Sequence, residues 1–535
     1  MTRLLFLCLG LLLLLVSCTL AGNNPVASTQ TPVPEVGEQP TATLPLAPDA
    51  TEPPAETILG EDTVLTACPL EAQQSAFRDD LTFDLETLEM DLCYELDFTL
   101  STDGTRFDAR ALVTMQNGSE DDWPDLLFRL YPHAAVLFGG TIEVKQVLVN
   151  GEAVTSERVL EDETGLLVPL AAPLAAGEGA VVDILFSGEL ATEAERQERV
   201  YGIFARSENA ATLASWFPML AVWNEADNRW FDVPVLGEGD AVFAESALIR
   251  ARLTGPERFD LATSGLIVGT EGGEGTITHE VVTGPARDLT MVWMEGYEQR
   301  EDTIDGTLIR NWYRPDHEDS AARVFQSARE ALALFNERFG PYPFEEVEIV
   351  EVPLHGAGGV EYPQLFLMAQ ELYGPRGDQQ FLTFATAHEM AHQWWYSMIG
   401  NNINAAPWQD EALTNWSALL WLEEAGSEEA AERVAQGFER SVEQFEGGEG
   451  EEEISAPLES FRGRSGAYAT IVYFKGALFF AALREEIGEE AFFAALRDYY
   501  ADHRFAIAQP DDLLGRFEES SGRSLDEFYK EWGVE

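Results

Sequence analysis

The sequence predicts an α+β multidomain protein: an N-terminal antiparallel β-domain of saddle or sandwich type, then a mainly helical domain with a small sheet. Three observations predict it. The chain has 535 residues, 45% of them hydrophobic, which is enough for two or three cores. From about Asp91 to Gly296 apolar residues recur with period two. From about Leu308 the period lengthens to that of a helix.

The N-terminus reads as an address. Arg3 precedes an apolar run from Leu4 to Val16. That run is short for a membrane span and fits a signal-peptide core. Leu15–Val16–Ser17–Cys18 resembles a bacterial lipobox. Residues 1–18 are therefore expected to be a lipoprotein signal, with Cys18 lipidated and the mature chain anchored to a membrane outside the cytoplasm. An ordinary secretory signal is the alternative. No later segment reads as transmembrane. Residues 19–60 hold eight Pro and no Lys or Arg, the composition of an extended tether. Of the four cysteines, Cys68 and Cys93 remain for the folded part. An oxidising compartment favours a disulfide between them over two buried thiols.

Residues 61–300 are assigned to the β-domain. Tyr94, Leu96, Phe98 and Leu100 alternate with polar neighbours, as do Phe107 to Met115 and Ile249 to Leu253. Asn117–Gly118 and Asn150–Gly151 supply turns. Residues 301–535 form the second unit. Helical spacing covers Ser320–Phe339 and stops at Gly340–Pro341. Val347–Leu354 reads as a strand. Helices follow over Phe381–Met398, Trp408–Glu424, Glu428–Phe445, Tyr468–Ile487 and Glu490–Tyr500, with two short ones at the end. Glu446–Glu453 reads as an acidic, solvated loop.

With 94 acidic against 33 basic residues the net charge is −61. Such a surface repels phosphate backbones and excludes nucleic acid as a partner. It reads as a solubilising shell; adaptation to salt, or attraction for cationic peptides, is the sharper alternative.

The chemistry lies in His388–Glu389–Met390–Ala391–His392. Positions i and i+4 share a helix face, so both imidazoles can reach one ion. A hydrolytic zinc site wants three protein ligands and an open position. Glu411, with eighteen residues between it and His392 and opening the next helix, is the candidate third ligand. One Zn2+ per chain is expected at His388, His392 and Glu411. Glu389 is the general base toward a zinc-activated water, and a Tyr hydroxyl would suit the oxyanion. Two buried, hydrogen-bonded histidines are the alternative reading. Asp410 reads as a support for His388 or His392, or as a cap. Trp394–Trp395–Tyr396 reads as core on the metal helix rather than as a substrate platform. His133 and His355 read as structural, and His279, His317 and His503 have no partner pattern.

The spread from His388 to Glu411 resembles the gluzincin peptidases of the aminopeptidase N and leukotriene hydrolase family. Gly358–Gly359–Val360–Glu361–Tyr362 is similar to that family's Gly-x-Met-Glu-Asn motif, with Val360 for Met and Tyr362 for Asn. The resemblance implies that Gly358, Gly359 and Glu361 bind substrate, Glu361 gripping its free α-amine. Tyr473–Phe474–Lys475–Gly476–Ala477 resembles the Tyr-x-Lys-Gly-Ala stretch, which implies Tyr473 as oxyanion stabiliser, with Tyr468 as second choice. It further implies a thermolysin-like catalytic domain over residues 301–535. The family's large C-terminal helical domain finds no counterpart before Glu535. Its β-domain Gln beside the amine has no clear match; Glu208 and Glu225 are weak candidates.

The function expected is an extracytoplasmic zinc aminopeptidase acting on peptides with a free N-terminus. A zinc endopeptidase with an open cleft, or a non-catalytic envelope lipoprotein, is the alternative. Oligomeric state is left open.

Overall fold

The computed structural model describes residues 73–81, 88, 90–192, 201–448, 450 and 452–534. The leader, the tether, Cys18 and Cys68 lie outside the described residues. Cys93 is buried and has no disulfide partner among them.

The first half is built on an eight-stranded sheet. Its strands include β1 (Leu92–Leu100), β2 (Arg106–Gln116), β3 (Thr141–Val149), β4 (Gly179–Glu189), β5 (Ala247–Pro256), β6 (Leu266–Gly273) and β7 (Thr276–Ala286). Their spatial order is β6-β7-β5-β1-β2-β4-β3, with Glu152–Ala153 at the edge. The period-two pattern does what it predicts: in β1, Tyr94, Leu96, Phe98 and Leu100 are buried while Glu95, Asp97 and Thr99 are exposed. Neighbours pair antiparallel except β1 and β5, which run parallel in register Tyr94–Ile249. Their alternation shows which face is buried and leaves direction open.

A second sheet opens the helical half. It comprises β8 (Glu298–Ile304), β9 (Thr307–Tyr313), β10 (Glu346–Val352), β11 (Gly359–Tyr362) and β12 (Leu365–Ala369), in the order β8-β9-β10-β12-β11. Its central strands are buried on both faces. Val347, Ile349, Phe366 and Met368 face the helical core, while Val350, Val352, Leu365 and Leu367 face the core of the β-half. Successive side chains point to opposite faces, so one short sheet joins two cores. Residues from before β1 also reach the helical half: Phe77 pairs with Phe344 and packs into that core.

The helices are α1 (Glu318–Arg338), α2 (Gln379–Ala391), α3 (Trp408–Trp421), α4 (Glu428–Gly448), α5 (Gly476–Ile487), α6 (Glu489–His503), α7 (Pro510–Ser521) and α8 (Asp526–Trp532). Two differ from expectation. α2 stops at Ala391 rather than Met398, because the chain turns: His392 Nδ1 meets the Trp395 carbonyl at 2.9 Å and Tyr396 has φ 118. Trp394 and Trp395 thus lie beyond the helix, both buried, with indole N–H groups given to Gly340 O and Ser417 Oγ. The expected Tyr468–Ile487 helix is three pieces, Ser465–Tyr468, a π-helical Ala469–Lys475 and α5. The continuous Ser465–Ile487 run is also long and apolar enough to cross a membrane, against expectation. Its Ile471, Val472, Phe479, Phe480 and Leu483 lie in the helical core, which accounts for the composition.

Candidate active site

α2 is positioned by its ends. Asp378 caps it, accepting from the N–H groups of Gln380 and Phe381 at 2.9 and 3.1 Å. At the other end Gln393 accepts from Gln364 N at 2.9 Å and donates to Tyr362 O at 3.0 Å. The end of the helix is thereby tied to the strand that carries Glu361. Gly359 makes the approach possible: a Cβ there would stand 2.5 Å from Glu389 Oε1. A Cβ at Gly358 would meet Phe381 at 2.9 Å. Both glycines thus have a packing reason in addition to the role the resemblance implies.

His388, His392 and Glu411 converge. His388 Nε2 and His392 Nε2 stand 3.2 Å apart, and each lies 3.3 or 3.4 Å from Glu411 Oε2. Four-coordinate zinc with bonds of about 2.0–2.1 Å has ligand atoms about 3.3–3.4 Å apart. The chemistry of the donor set agrees. A carbonyl only accepts, so the Trp395 contact requires the proton of neutral His392 on Nδ1 and leaves Nε2 as a lone pair. Glu411 Oε2 has no hydrogen-bond partner among the described residues. Three lone-pair atoms facing one point fit a zinc ion.

The remaining groups surround that point. Glu389 is buried, its Oε2 without a hydrogen-bond partner among the described residues, and Glu361, Glu389 and His392 place ligand atoms within 4.8 Å of one another. Tyr473, in the π-helical segment, stacks on His388 with centroids 5.8 Å apart and donates its hydroxyl to Glu411 Oε1. Tyr468 stands edge-on to Tyr473 at 5.6 Å, its hydroxyl without a hydrogen-bond partner among the described residues.

Electrostatics follow from burial and crowding. Burial raises Glu389 to about 8, with Glu411 and Asp240 adding and His392 opposing. Burial alone would raise Glu411, but the close imidazoles of His388 and His392 hold it well below the carboxylate range. Burial alone would lower His392; Glu361, Glu411 and Glu389 carry it well above its usual value. The cluster therefore draws positive charge to its centre. Burial, then Glu411, keeps the Tyr473 hydroxyl protonated.

Sequence reasoning missed Asp240. It sits in the loop of residues 231–246, which carries no periodic pattern, and reaches the site only through tertiary packing. Glu238 accepts from Gly463 N at 2.8 Å, and Gly239, at φ +65, lies so close that a Cβ would be 2.7 Å from the Tyr468 hydroxyl. Asp240 is hydrogen-bonded to Glu361 and close to Glu411, and burial with Glu411 raises it to about 7. Glu208 and Glu225 are exposed and stand apart from these groups. Asp410 does neither thing expected of it: its Oδ1 accepts from Glu411 N, and His392 Nδ1 is held by Trp395 O and Thr414 Oγ1 instead. The other histidines serve elsewhere: His133 bonds Ile142, His279 bonds Thr270, His317 bonds Glu351, His355 lies by Glu371 and His503 packs on Tyr499.

Residues 323–532 match the model of the peptidase family M1 domain. That stretch is similar to the peptidase family M1 domain. The chain is 24% identical over 239 residues to Aminopeptidase M1 of Arabidopsis thaliana, covering 43% of this chain and 27% of that protein. It is 26% identical over 240 residues to Aminopeptidase N of Streptomyces lividans, covering 41% and 26%. It thus spans about a quarter of the length of these curated relatives. The fold is similar to that of the M1 zinc metallopeptidase from Deinococcus radiodurans, with TM-score 0.61 and 18% identity over 83% of this chain and 94% of that one. A mutant of that enzyme bound to a Tyr-Ser-Ala substrate matches with TM-score 0.58. The fold match extends the two-part architecture of the M1 peptidases over the β-half as well.

Proposed function

We propose that this protein is a zinc-dependent aminopeptidase, acting outside the cytoplasm on peptides with a free N-terminus and anchored to a membrane by lipid on Cys18. The triangle of His388, His392 and Glu411, set beside the pair of buried Glu361 and half-buried Asp240, carries the reading. The relatives called aminopeptidases and the Deinococcus neighbour with its Tyr-Ser-Ala substrate support it. Arg3, the Leu4–Val16 run and Cys18 support the location.

His388, His392 and Glu411 would hold a zinc ion, which when bound would supply Lewis-acid chemistry toward the scissile carbonyl and a water. Glu361 and Asp240 fix the register. Their mutual hydrogen bond needs one proton; an incoming α-ammonium offers N–H donors to both and takes that place. Glu389 takes the proton of the attacking water and returns it to the leaving amine. Tyr473 turns its O–H from Glu411 Oε1 to the developing oxyanion.

The test compares matched free and N-acetylated peptides, with chelator and with zinc restored. Cleavage of the free peptide alone, lost to chelator and regained with zinc, is expected. Internal cleavage of both peptides would replace this reading with an open-cleft endopeptidase. A zinc-treated protein that binds no zinc and cleaves neither would be a binding lipoprotein. Glu361→Ala is expected to abolish the preference for free N-termini, and a preference that survived would remove Glu361 from the amine site. Cys18→Ser is expected to move the protein from the membrane to the soluble fraction; unchanged membrane association would overturn the lipid anchor.

A further inference from the structure

Tyr396 is buried without being a core residue. It is 4% exposed. Yet among the described residues it alone, of the buried Phe, Tyr and Trp side chains, belongs to no hydrophobic core. Trp394 and Trp395, its neighbours in the same aromatic run, both lie in the helical core. Two residues of the run therefore pack as the sequence predicts and the third does not. The Tyr396 ring stands edge-on to the imidazole of His392, with centroids 6.4 Å apart and planes at 86°. His392 in turn shares a cluster of ligand atoms, all within 4.8 Å, with Glu361 and Glu389.

The backbone of Tyr396 is strained as well. Its φ of 118 suits glycine, and a bulky residue there is an outlier. Such strain persists only where surrounding contacts over-determine it, and it gathers at functional sites. Here contacts hold both ends of the residue. Tyr396 N donates to Ile399 O at 2.9 Å, and Tyr396 O accepts from Arg287 Nε at 3.1 Å. Arg287, buried just after β7, also donates to Ala244 O at 2.8 Å. Ala244 belongs to the loop of residues 231–246 that carries Asp240, so one guanidinium fixes Tyr396 and that loop against each other. The hydroxyl end of the ring faces acidic groups. Burial raises it well above its usual value, with Glu361, Asp288 and Asp240 adding and Arg287 opposing. The phenol therefore stays neutral beside the two carboxyl groups read above as the amine site.

We propose that Tyr396 is a positioning residue that closes off the amine subsite, so that a peptide must end at its α-ammonium and an acylated or longer N-terminus is turned away. The inference rests on the aminopeptidase reading and deepens it. Glu361 and Asp240 attract a charged amine, but attraction to one ligand does not by itself reject another. Rejection of a neutral amide nitrogen that carries further chain needs bulk where the next atoms would go. The Tyr396 ring, beside His392 and facing Glu361, supplies that bulk. An aromatic ring suits the task because it is rigid and has only two side-chain torsions to fix. The strain has a reason on this account: glycine would relax the backbone and leave the subsite open.

The test is calorimetric binding of Tyr-Ser-Ala and of N-acetyl-Tyr-Ser-Ala to the zinc-loaded full chain carrying Glu389→Gln, which lacks the general base and so binds peptide without cutting it. This parent is expected to hold the free peptide at least about 100-fold more tightly than the acetylated one. Adding Tyr396→Gly is expected to bring the ratio below about tenfold, chiefly by tighter binding of the acetylated peptide, a gain that a merely loosened fold does not produce. Adding Tyr396→Phe is expected to leave the ratio unchanged, because the ring remains. If Tyr396→Gly does not fold, Tyr396→Ala, which removes the ring and keeps the side of the backbone, carries the comparison. In the chain with Glu389 intact, Tyr396→Gly is expected to melt about 2 °C or more above Tyr396→Ala, since only glycine releases the strain. A ratio unchanged by loss of the ring would overturn the proposal. So would a Phe variant that behaves as the Gly variant, which would give the role to the hydroxyl, or a Gly variant no more stable than the Ala one. A parent that binds neither peptide, in a chain that cuts neither, would instead bring down the aminopeptidase reading and this inference with it.

Discussion

Tyr468 is buried and Tyr473 half-buried beside Glu411, yet only Tyr473 gives its hydroxyl to that carboxylate, while the Tyr468 hydroxyl faces Gly239. On that ground we assign the proposed oxyanion role to Tyr473. Tyr473→Phe is expected to lower kcat by about 10²–10³-fold with KM and zinc content little changed. Tyr468→Phe is expected to lose less than about tenfold. Steady-state kinetics with zinc stoichiometry check this, and the reverse order would give the role to Tyr468. The candidate metal site was legible in the sequence because one helical turn fixes His388 and His392 on one face whatever the rest of the fold does. Asp240 was not legible. No local spacing marks it, and it meets Glu361 only because the loop of residues 231–246 packs across the helical half.

Among elements, the approach of α5 to α3 decides where Glu411 stands. Gly476 opens α5, and a Cβ there would lie 2.3 Å from Ala412 Cβ, next to Glu411. In an open helix Gly→Ala stabilises by up to about 1 kcal/mol. Gly515 in α7 has nothing within 4 Å of its would-be Cβ, so Gly515→Ala is expected to raise Tm. Gly476→Ala is expected to do the opposite, costing about 1–3 kcal/mol as α3 is pushed away, and to weaken zinc binding. Calorimetry with zinc titration separates the two variants, and a shared sign would show that α5 and α3 are free to part. Element types were legible from period alone, but their ends were not. The apolar Trp394–Trp395 run continues the pattern of α2 beyond Ala391, while the turn that stops the helix depends on a side-chain bond from His392 and the backbone of Tyr396. Strand partners were likewise hidden. β8 follows the β-domain without a break in pattern, yet pairs with β9 in the sheet that faces the helices.

At the scale of the whole molecule, the charge of −61 acts on encounter rather than on chemistry. Surface charges reach about 30 Å into solution at 0.01 M salt and only about 3 Å at 1 M. A peptide with a cationic tail is drawn in at low salt, and one with an acidic tail is held off. For the cationic peptide kcat/KM is expected to fall about tenfold between 0.01 and 0.5 M salt, and for the acidic peptide to rise. Once the peptide is bound, Glu361, Glu389 and Glu411 act over a few ångströms in a buried site that salt does not screen. The kcat of both peptides should therefore stay level across the range. Stopped-time assays over a salt series give both constants. Parallel kcat/KM curves for the two peptides would confine the acidic shell to solubility, whereas opposed curves with level kcat would make the surface part of substrate selection, acting before Glu361 meets the ammonium group.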